Sequence, residues 1–324
     1  MWQADRVEVT VLVENWVDML LPDLEGDHCV VRNGLVEHFD PKRTPPAAEN
    51  GLSLLVRAYR GRHRLTVLFD AGLTGTVLRH NLNALRIGPA EIDHVVISHG
   101  HPDHFGGIFH LLDMVDAPLP VATHPDAFLP RYATMGDGRV AHFYNQAFQP
   151  APLEAAGGKV TLSRAPVDLG WGVATTGQIA RDTDFEGPPA TSTAFTPGLW
   201  QVAADGDNVV DQVWDEQGLV VDVAGEGLVV LTGCAHAGVV NTLHQARALA
   251  GDRPVRAVMG GFHLGFPTTP KENVAKTVAA FHDLEVRTVV PMHCSGLRAH
   301  VAMSTDLADR YVQPAVGTTF VFGS

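Results

Sequence analysis

Four side chains able to bind metal ions lie within six consecutive residues: His99, His101, Asp103 and His104. In an extended segment the side chains of residues i and i+2 point the same way, so His99 and His101 can share one ion. The proline between the two pairs turns the chain and can direct Asp103 and His104 toward a second ion. Imidazole and carboxylate together suit zinc, iron or manganese better than calcium or magnesium. The loop therefore predicts a transition-metal centre, and a polar surface loop is the alternative.

The elements on either side of this loop predict how it is held. Residues 94–98 form a short, mainly apolar segment that predicts a buried strand. Apolar residues at helical spacing predict a helix over 106–115. A loop that leaves a buried strand and enters a helix lies at the edge of the sheet where α/β proteins place their sites.

The rest of the chain alternates between strands and helices. Further strands are predicted over 6–13, 51–59, 62–69, 118–123, 159–164, 172–176, 218–223, 227–232, 255–259, 286–290 and 318–322, and helices over 74–85, 238–249 and 270–282. Strands that run in pairs and then alternate with helices predict two mixed sheets with helices outside. Proline and glycine are frequent in residues 130–215, which predicts a loop-rich insertion within one domain over 1–324. Its longest loop, 180–198, is expected to cover the site.

Composition excludes several classes of protein. With 45% apolar and 18% charged residues in 324, the chain is globular rather than disordered. A net charge of −13 makes a nucleic-acid partner unexpected. No apolar run is long enough to span a membrane and no signal peptide is recognised, so a cytoplasmic location without membrane attachment is predicted. The three cysteines fit no disulfide framework, and Cys234 and Cys294 are expected to pack in the core.

Four motifs together resemble the metallo-β-lactamase-fold hydrolases. They are the HxHxDH loop at 99–104, FDAG at 69–72, TGCAH at 232–236 and PMHC at 291–294. The resemblance implies an α/β fold, an αββα sandwich of two mixed sheets with helices on both outer faces. Other segments, ENGLS at 49–53, TGQIAR at 176–181, GCAHAGVVN at 233–241 and GGFHL at 260–264, resemble the branch named for a dihydropterin ribofuranosylaminobenzene phosphate synthase.

The resemblance also implies a ligand set. One ion would be bound by His99, His101 and His236, and the other by Asp103, His104 and His293, with zinc as the first choice of two divalent transition metals and iron or manganese as alternatives. Relatives usually bridge the ions with a carboxylate, expected here after the strand 255–259, but the sequence reads GGFH at 260–263. His263 is therefore a candidate ligand of the second ion, and a water as the only bridge is the alternative.

Four residues are predicted to serve the reaction. Asp103 would also orient the attacking hydroxide, and Asp70 would orient the histidine loop by hydrogen bonding. His124, at the end of a strand, is a candidate substrate contact. Arg181, in the long loop, could hold an anionic substrate group.

The predicted function is that of a metal-dependent hydrolase. A metal-bound hydroxide would cleave an ester, phosphodiester, thioester or lactam bond in a small molecule. A transferase of the dihydropterin synthase type and a diiron oxidoreductase are the alternatives. A purely structural metal is disfavoured because such sites are closed and four-coordinate. Assembly into a homo-oligomer is left open.

Overall fold

The computed structural model describes residues 3–26, 29–32, 40, 42, 44–135, 137, 139–142, 147–187, 198–203, 205–266 and 269–324. The strands are β1 Arg6–Val13, β2 Cys29–Val31, β3 Ser53–Arg60, β4 His63–Phe69, β5 His94–Val96, β6 Leu119–Thr123, β7 Arg131–Thr134, β8 Val140–His142, β9 Gly158–Leu162, β10 Asp168–Gly170, β11 Val173–Thr175, β12 Gly198–Val202, β13 Asn208–Val210, β14 Leu219–Val223, β15 Gly227–Thr232, β16 Val255–Gly261, β17 Thr288–Met292 and β18 Thr319–Gly323. The helices are α1 Gly75–Ala84, α2 Pro102–Phe105, α3 Ile108–Leu112, α4 Pro150–Ala155, α5 Val239–Ala250, α6 Lys271–Asp283 and α7 Gly296–Asp306.

Two mixed sheets form the body of the fold. In the first, the order is β2-β18-β1-β3-β4-β5-β6-β9, antiparallel from β2 to β4 and parallel from β4 to β9. In the second, the order is β10-β11-β14-β15-β16-β17, with β15, β16 and β17 parallel. The carboxyl ends of parallel strands lie at one edge of a sheet, so each sheet offers one edge on which loops can gather.

The layers are held together by three apolar clusters. Between the sheets, β1 and β3 residues such as Val9 and Val56 pack in one cluster with β14 and β16 residues such as Met259. Helices α1 and α3 cover the outer face of the first sheet, and α5, α6 and α7 cover that of the second. Burial of each large apolar side chain contributes about 1.5–3 kcal/mol. The αββα sandwich implied by the motifs is confirmed.

The segment 130–215 holds more regular structure than the sequence indicates. Strands β7, β8, β12 and β13 form a separate antiparallel sheet in the order β13-β12-β7-β8. Strand β9 belongs to the first main sheet, and β10 and β11 belong to the second. Every residue of β12 is only half-buried, so these strands lack the apolar alternation that marks a strand in sequence. Residues 188–197 of the expected covering loop lie outside the described residues. The single-domain arrangement and the covering role stay predictions.

The predicted helix over 106–115 is shorter than expected. The chain forms α2, breaks at Gly106 and Gly107, and resumes as α3. At these two positions a Cβ atom would lie 2.0 Å from the carbonyl oxygen of Leu73 and 2.2 Å from that of Ala71. Glycine therefore lets the loop pack directly on the backbone that follows β4, at the cost of helical continuity.

The sequence does not predict helix α7, because its large aliphatic residues face the solvent. Leu297 and Val301 are 65% and 58% exposed, whereas the buried face carries Ala299, His300 and Met303. A helix without an apolar stripe gives no periodic signal. None of the helices in the described part of the chain is both long and apolar enough to cross a membrane.

The buried face of α7 predicts a pH dependence of stability. Burial lowers the pKa of His300 to about 4, and its Nδ1 lies 3.0 Å from the Tyr311 hydroxyl. The unfolded chain takes up this proton near pH 6.5 and the folded chain only near pH 4, so this contribution to stability is lost as the pH falls between those values. We expect His300→Gln to remove about 1–2 kcal/mol of the stability difference between pH 7 and pH 5, measured by urea denaturation. The same substitution at His282, exposed on α6, should leave the wild-type pH dependence. An unchanged dependence in His300→Gln would contradict the prediction.

Candidate metal centre

The loops that follow the parallel strands bring the predicted ligands together. His99 and His101 follow β5, His236 follows β15, and the ligand atoms of these three lie within 4.8 Å of one another. The ligand atoms of Asp103, His104 and His293 form a second such group. We call these groups the first trio and the second trio. Each trio combines residues of both sheets.

Two imidazoles of the first trio each have a buried nitrogen close to the other ligand atoms. The Nε2 atoms of His99 and His236 are buried and have no hydrogen-bond partner among the described residues. An unpartnered buried polar atom is costly, and coordination of a cation would satisfy both atoms. Burial, with help from neighbouring histidines, holds the pKa of both side chains well below the usual range. The residues present therefore fit a transition-metal ion.

The second trio contains opposite charges at short range. An Asp103 carboxylate oxygen lies 3.2 Å from Nε2 of His293, and the other lies 3.8 Å from Nε2 of His104. Burial opposes ionisation of Asp103, but the facing histidines lower its pKa well below the usual range. For His104, burial is outweighed by Asp70 and Asp103, which raise the pKa to about 9. A divalent cation could replace the protons that hold this group together.

The Asp70 carboxylate anchors the histidine loop by hydrogen bonds to Ser98 and His104. Its carboxylate accepts hydrogen bonds from the backbone N–H and the hydroxyl of Ser98, both at 2.7 Å, and lies 2.6 Å from Nδ1 of His104. The Ser98 hydroxyl in turn lies 2.9 Å from Nδ1 of His99. With both Nδ1 atoms engaged, the Nε2 atoms are left to face the centre. This is the position that the predicted orienting role requires.

The backbone around the centre is strained at four residues that are not glycine. Asp70, Ala235, His263 and His293 have φ values of 61°, 56°, 52° and 48°. Such left-handed conformations cost about 1 kcal/mol each and cluster at functional sites. These conformations occur where the backbone directs side chains toward the metal centre.

His263 lies beside the first trio. Its ring centroid is 4.2 Å from that of His236 and 4.4 Å from that of Phe266. Among the described residues, the ligand group that contains His263 also contains His236 and Cys234 and has no member of the second trio. The structure therefore places His263 nearer the first trio than the second, and its role as a ligand stays a prediction.

Cys294 is half-buried and Cys234 is buried, as core packing requires, but both thiols also belong to groups that could hold a metal ion. Sγ of Cys234 lies 3.2 Å from Nε2 of His104 and belongs to three of these groups. The chain is not extended here, because Ala235 between Cys234 and His236 has a φ of 56°, so the i, i+2 rule that paired His99 with His101 does not apply to them. The place of the thiol follows from this turn, which the sequence does not reveal.

The two predicted substrate contacts are engaged with the protein itself. His124 is fully buried, accepts a hydrogen bond from the backbone N–H of Asp126 at 3.1 Å and lies 3.2 Å from Gln178. Arg181 donates to the backbone carbonyl of Gln212 and stacks on Trp214, with its guanidinium carbon 4.0 Å from the ring centroid. Neither residue joins a ligand group in the described part of the chain. Their roles toward a substrate stay predictions.

Comparison with known proteins identifies the family. The model of the metallo-beta-lactamase superfamily matches residues 48–293. The chain belongs to the metallo-β-lactamase superfamily. It is 32% identical over 267 residues to 7,8-dihydropterin-6-methyl-4-(β-D-ribofuranosyl)aminobenzene-5′-phosphate synthase of Methanocaldococcus jannaschii, covering 82% of this chain and 87% of that protein. A crystal structure described as a metal-dependent hydrolase of the beta-lactamase superfamily aligns with a TM-score of 0.69 at 25% identity, over 98% of this chain and all of that one. The metallo-beta-lactamase fold protein YhfI of Bacillus subtilis aligns with a TM-score of 0.50 at 12% identity, over 98% of this chain and all of that one, which shows the fold alone.

This member of the superfamily supports its histidine loop with a buried charge cluster that the sequence analysis missed. Arg131 is 1% exposed and pairs with Asp211 at 2.6 Å and Asp215 at 2.5 Å. Asp215 also accepts the backbone N–H of Gly100 at 2.7 Å, and Asp211 lies 3.8 Å from Nε2 of His101. The partners are 80 and 84 residues apart, so no local pattern connects them.

Two buried glutamates fix the backbone of the other ligand loops. Glu14 accepts the backbone N–H of His293 at 2.9 Å, and Glu216 accepts that of Ala237 at 2.6 Å. Burial raises the pKa of both carboxyl groups to about 7, against the lowering effect of these hydrogen bonds. Glu14 directly follows β1, and the sequence there predicts a strand but gives no sign of a role for the glutamate. Its role depends on a partner 279 residues away.

Proposed function

We propose that this protein is a metal-dependent hydrolase that cleaves an ester, phosphodiester, thioester or lactam-type bond in a small molecule. The observation that carries the proposal is the pair of facing trios, in which the buried Nε2 atoms of His99 and His236 have no hydrogen-bond partner among the described residues. Superfamily membership supports the same class of chemistry.

The proposal assigns each trio one divalent ion, with zinc as the first choice. Ions held there would polarise the bond under attack and make a water nucleophilic near neutral pH. His99, His101 and His236 would hold the first ion, and Asp103, His104 and His293 the second. Asp103 is 27% exposed on its side chain, so its carboxylate can also accept a hydrogen bond from the attacking water. Asp70 would keep the ligating nitrogens directed inward.

Similarity to the methanogen synthase supports a second candidate function. At 32% identity over most of both chains, a transferase that forms a dihydropterin product is the alternative. Arg181 is the residue that could serve it, as a clamp for a phosphate group once freed from its contact with Gln212.

We expect the purified protein to hold about one to two equivalents of transition metal per chain and to lose activity on chelation. Elemental analysis measures the metal, and re-addition of zinc, manganese or iron should restore turnover. Hydrolysis of phosphodiester, thioester and lactone substrates is measured, and so is formation of the dihydropterin product after which the methanogen synthase is named. Metal-dependent hydrolysis supports the proposal, and synthesis without hydrolysis favours the transferase. Fewer than ~0.2 equivalents after loading would overturn both.

A cytoplasmic location stays a prediction, and the sequence leaves the oligomeric state open. Fractionation of cells and light scattering on the purified protein test them.

A further inference from the structure

The thiol of Cys234 lies where the two trios meet. Its Sγ is within 4.8 Å of the ligand atoms of His99 and His104, which belong to different trios. It is also grouped with His236 of the first trio and, separately, with His293 of the second. Cys234 thus approaches two of the three ligands of each trio.

No carboxylate takes this position among the described residues. The backbone after β16 continues as Gly-Gly-Phe-His at 260–263, and Asp103 is the one carboxylate in the ligand groups of the described chain. Asp103 belongs to the second trio alone. Two cations placed in the trios would therefore face each other across a sulfur atom rather than across an acidic side chain.

The surroundings hold Sγ in this place. Cys234 is 4% exposed and sits just after β15, and Ala235, with φ of 56°, turns the chain between Cys234 and His236. Nδ1 of His104 is engaged by Asp70, so Nε2 is the atom that faces Sγ at 3.2 Å.

We propose that the Cys234 thiolate is a ligand shared by both metal ions. The proposal rests on the metal binding of the proposed function and adds the identity of the bridge. A zinc–sulfur bond is about 2.3 Å long, so two such bonds span the ~3.5–4 Å that separates the ions of dinuclear sites. As the metal–sulfur bonds form, the thiol proton is released to solvent and no atom is oxidised or reduced. The shared thiolate supplies the negative charge between the ions that a carboxylate supplies elsewhere.

The bridge also suggests a preference among metals. Thiolate favours softer ions such as zinc over manganese or magnesium, which prefer oxygen ligands. A centre bridged by sulfur should therefore retain zinc against competing manganese, and the variant that replaces the thiolate by a carboxylate should retain it less.

The test uses the full chain, stripped of metal and reloaded with Co²⁺. Wild type is compared with Cys234→Ser, Cys234→Asp and the matched control Cys29→Ser, at an exposed cysteine on β2. Wild type and the control should bind about two equivalents and show a near-ultraviolet thiolate-to-cobalt band that grows across both equivalents. Cys234→Ser should lose the band and fall to about one equivalent. Cys234→Asp should lose the band and keep about two, because a carboxylate can also bridge.

The outcomes separate the bridge from the proposed function. Two bound ions with a band that survives Cys234→Ser, or with no band in wild type, would overturn the bridge and leave the metallo-hydrolase proposal standing. Anomalous diffraction from zinc-loaded wild-type crystals gives a second readout. Sγ of Cys234 within bonding distance of both ions supports the proposal, and contact with a single ion overturns it. A chain that binds no transition metal overturns both inferences together.

Discussion

Asp103→Asn is expected to lower kcat/KM by about 10³-fold while the chain stays folded. Asparagine has the same shape but no charge, so the second trio loses its one anionic ligand and its acceptor for the attacking water. The surrounding histidines hold the pKa of Asp103 well below its usual range, so the site favours the anion. Activity is measured on whichever substrate of the panel wild type hydrolyses, with metal content determined on the same samples.

The matched control for this experiment is Asp113→Asn. Asp113 is exposed at the end of α3 and belongs to none of the ligand groups in the described residues, so its amide variant should keep wild-type activity. Far-ultraviolet circular dichroism of both variants separates a catalytic loss from unfolding. Full turnover by Asp103→Asn would place the chemistry outside the second trio.

The largest effect on stability is expected from Arg131→Met. This side chain is 1% exposed and pairs with two carboxylates that are themselves fully buried. Its removal leaves Asp211 and Asp215 without a counter-charge in the interior, which costs about 3–5 kcal/mol in the free energy of unfolding. Denaturant unfolding in the presence of a chelator measures the loss without any contribution from bound metal.

An exposed ion pair between β7 and β8 provides the comparison. Arg139 pairs with Asp137 at 2.6 Å, with side chains 79% and 54% exposed. Arg139→Met should leave the free energy of unfolding close to that of wild type because exposed pairs contribute little. If Arg131→Met were equally mild, the two aspartates would have to be protonated or reached by water in the folded state.

What the sequence could predict depends on how far apart the interacting residues are. The histidine loop and its flanking strand and helix carry their signal within about twenty residues, and spacing alone indicates that His99 and His101 share a face. The largely apolar sequences of β14 to β17 predict these strands close to their observed positions. Pairs of strands alternating with helices predict two mixed sheets with helices outside, and the resemblance of the four motifs implies the αββα sandwich.

The parts that could not be predicted are supported by contacts between distant residues. Arg131 with Asp211, and Glu14 with His293, join segments that share no local pattern. Helix α7 was missed because it turns leucine and valine outward and buries a histidine. The thiol of Cys234 was assigned to core packing because the left-handed turn at Ala235, which brings it beside the ligands, leaves no mark in the sequence.

Each trio draws two ligands from the first half of the chain and one from the second, and this division has a consequence for how the protein is made. A nascent chain can display His99, His101, Asp103 and His104 long before His236 and His293 leave the ribosome. An ion captured at that time would have only two of its three ligands and would exchange freely. Stable loading would have to wait until the two sheets have docked, so the metal would join them late in folding. Withdrawal of metal during synthesis should then leave the pairing of β3 to β6 intact and delay only the docking of the two sheets.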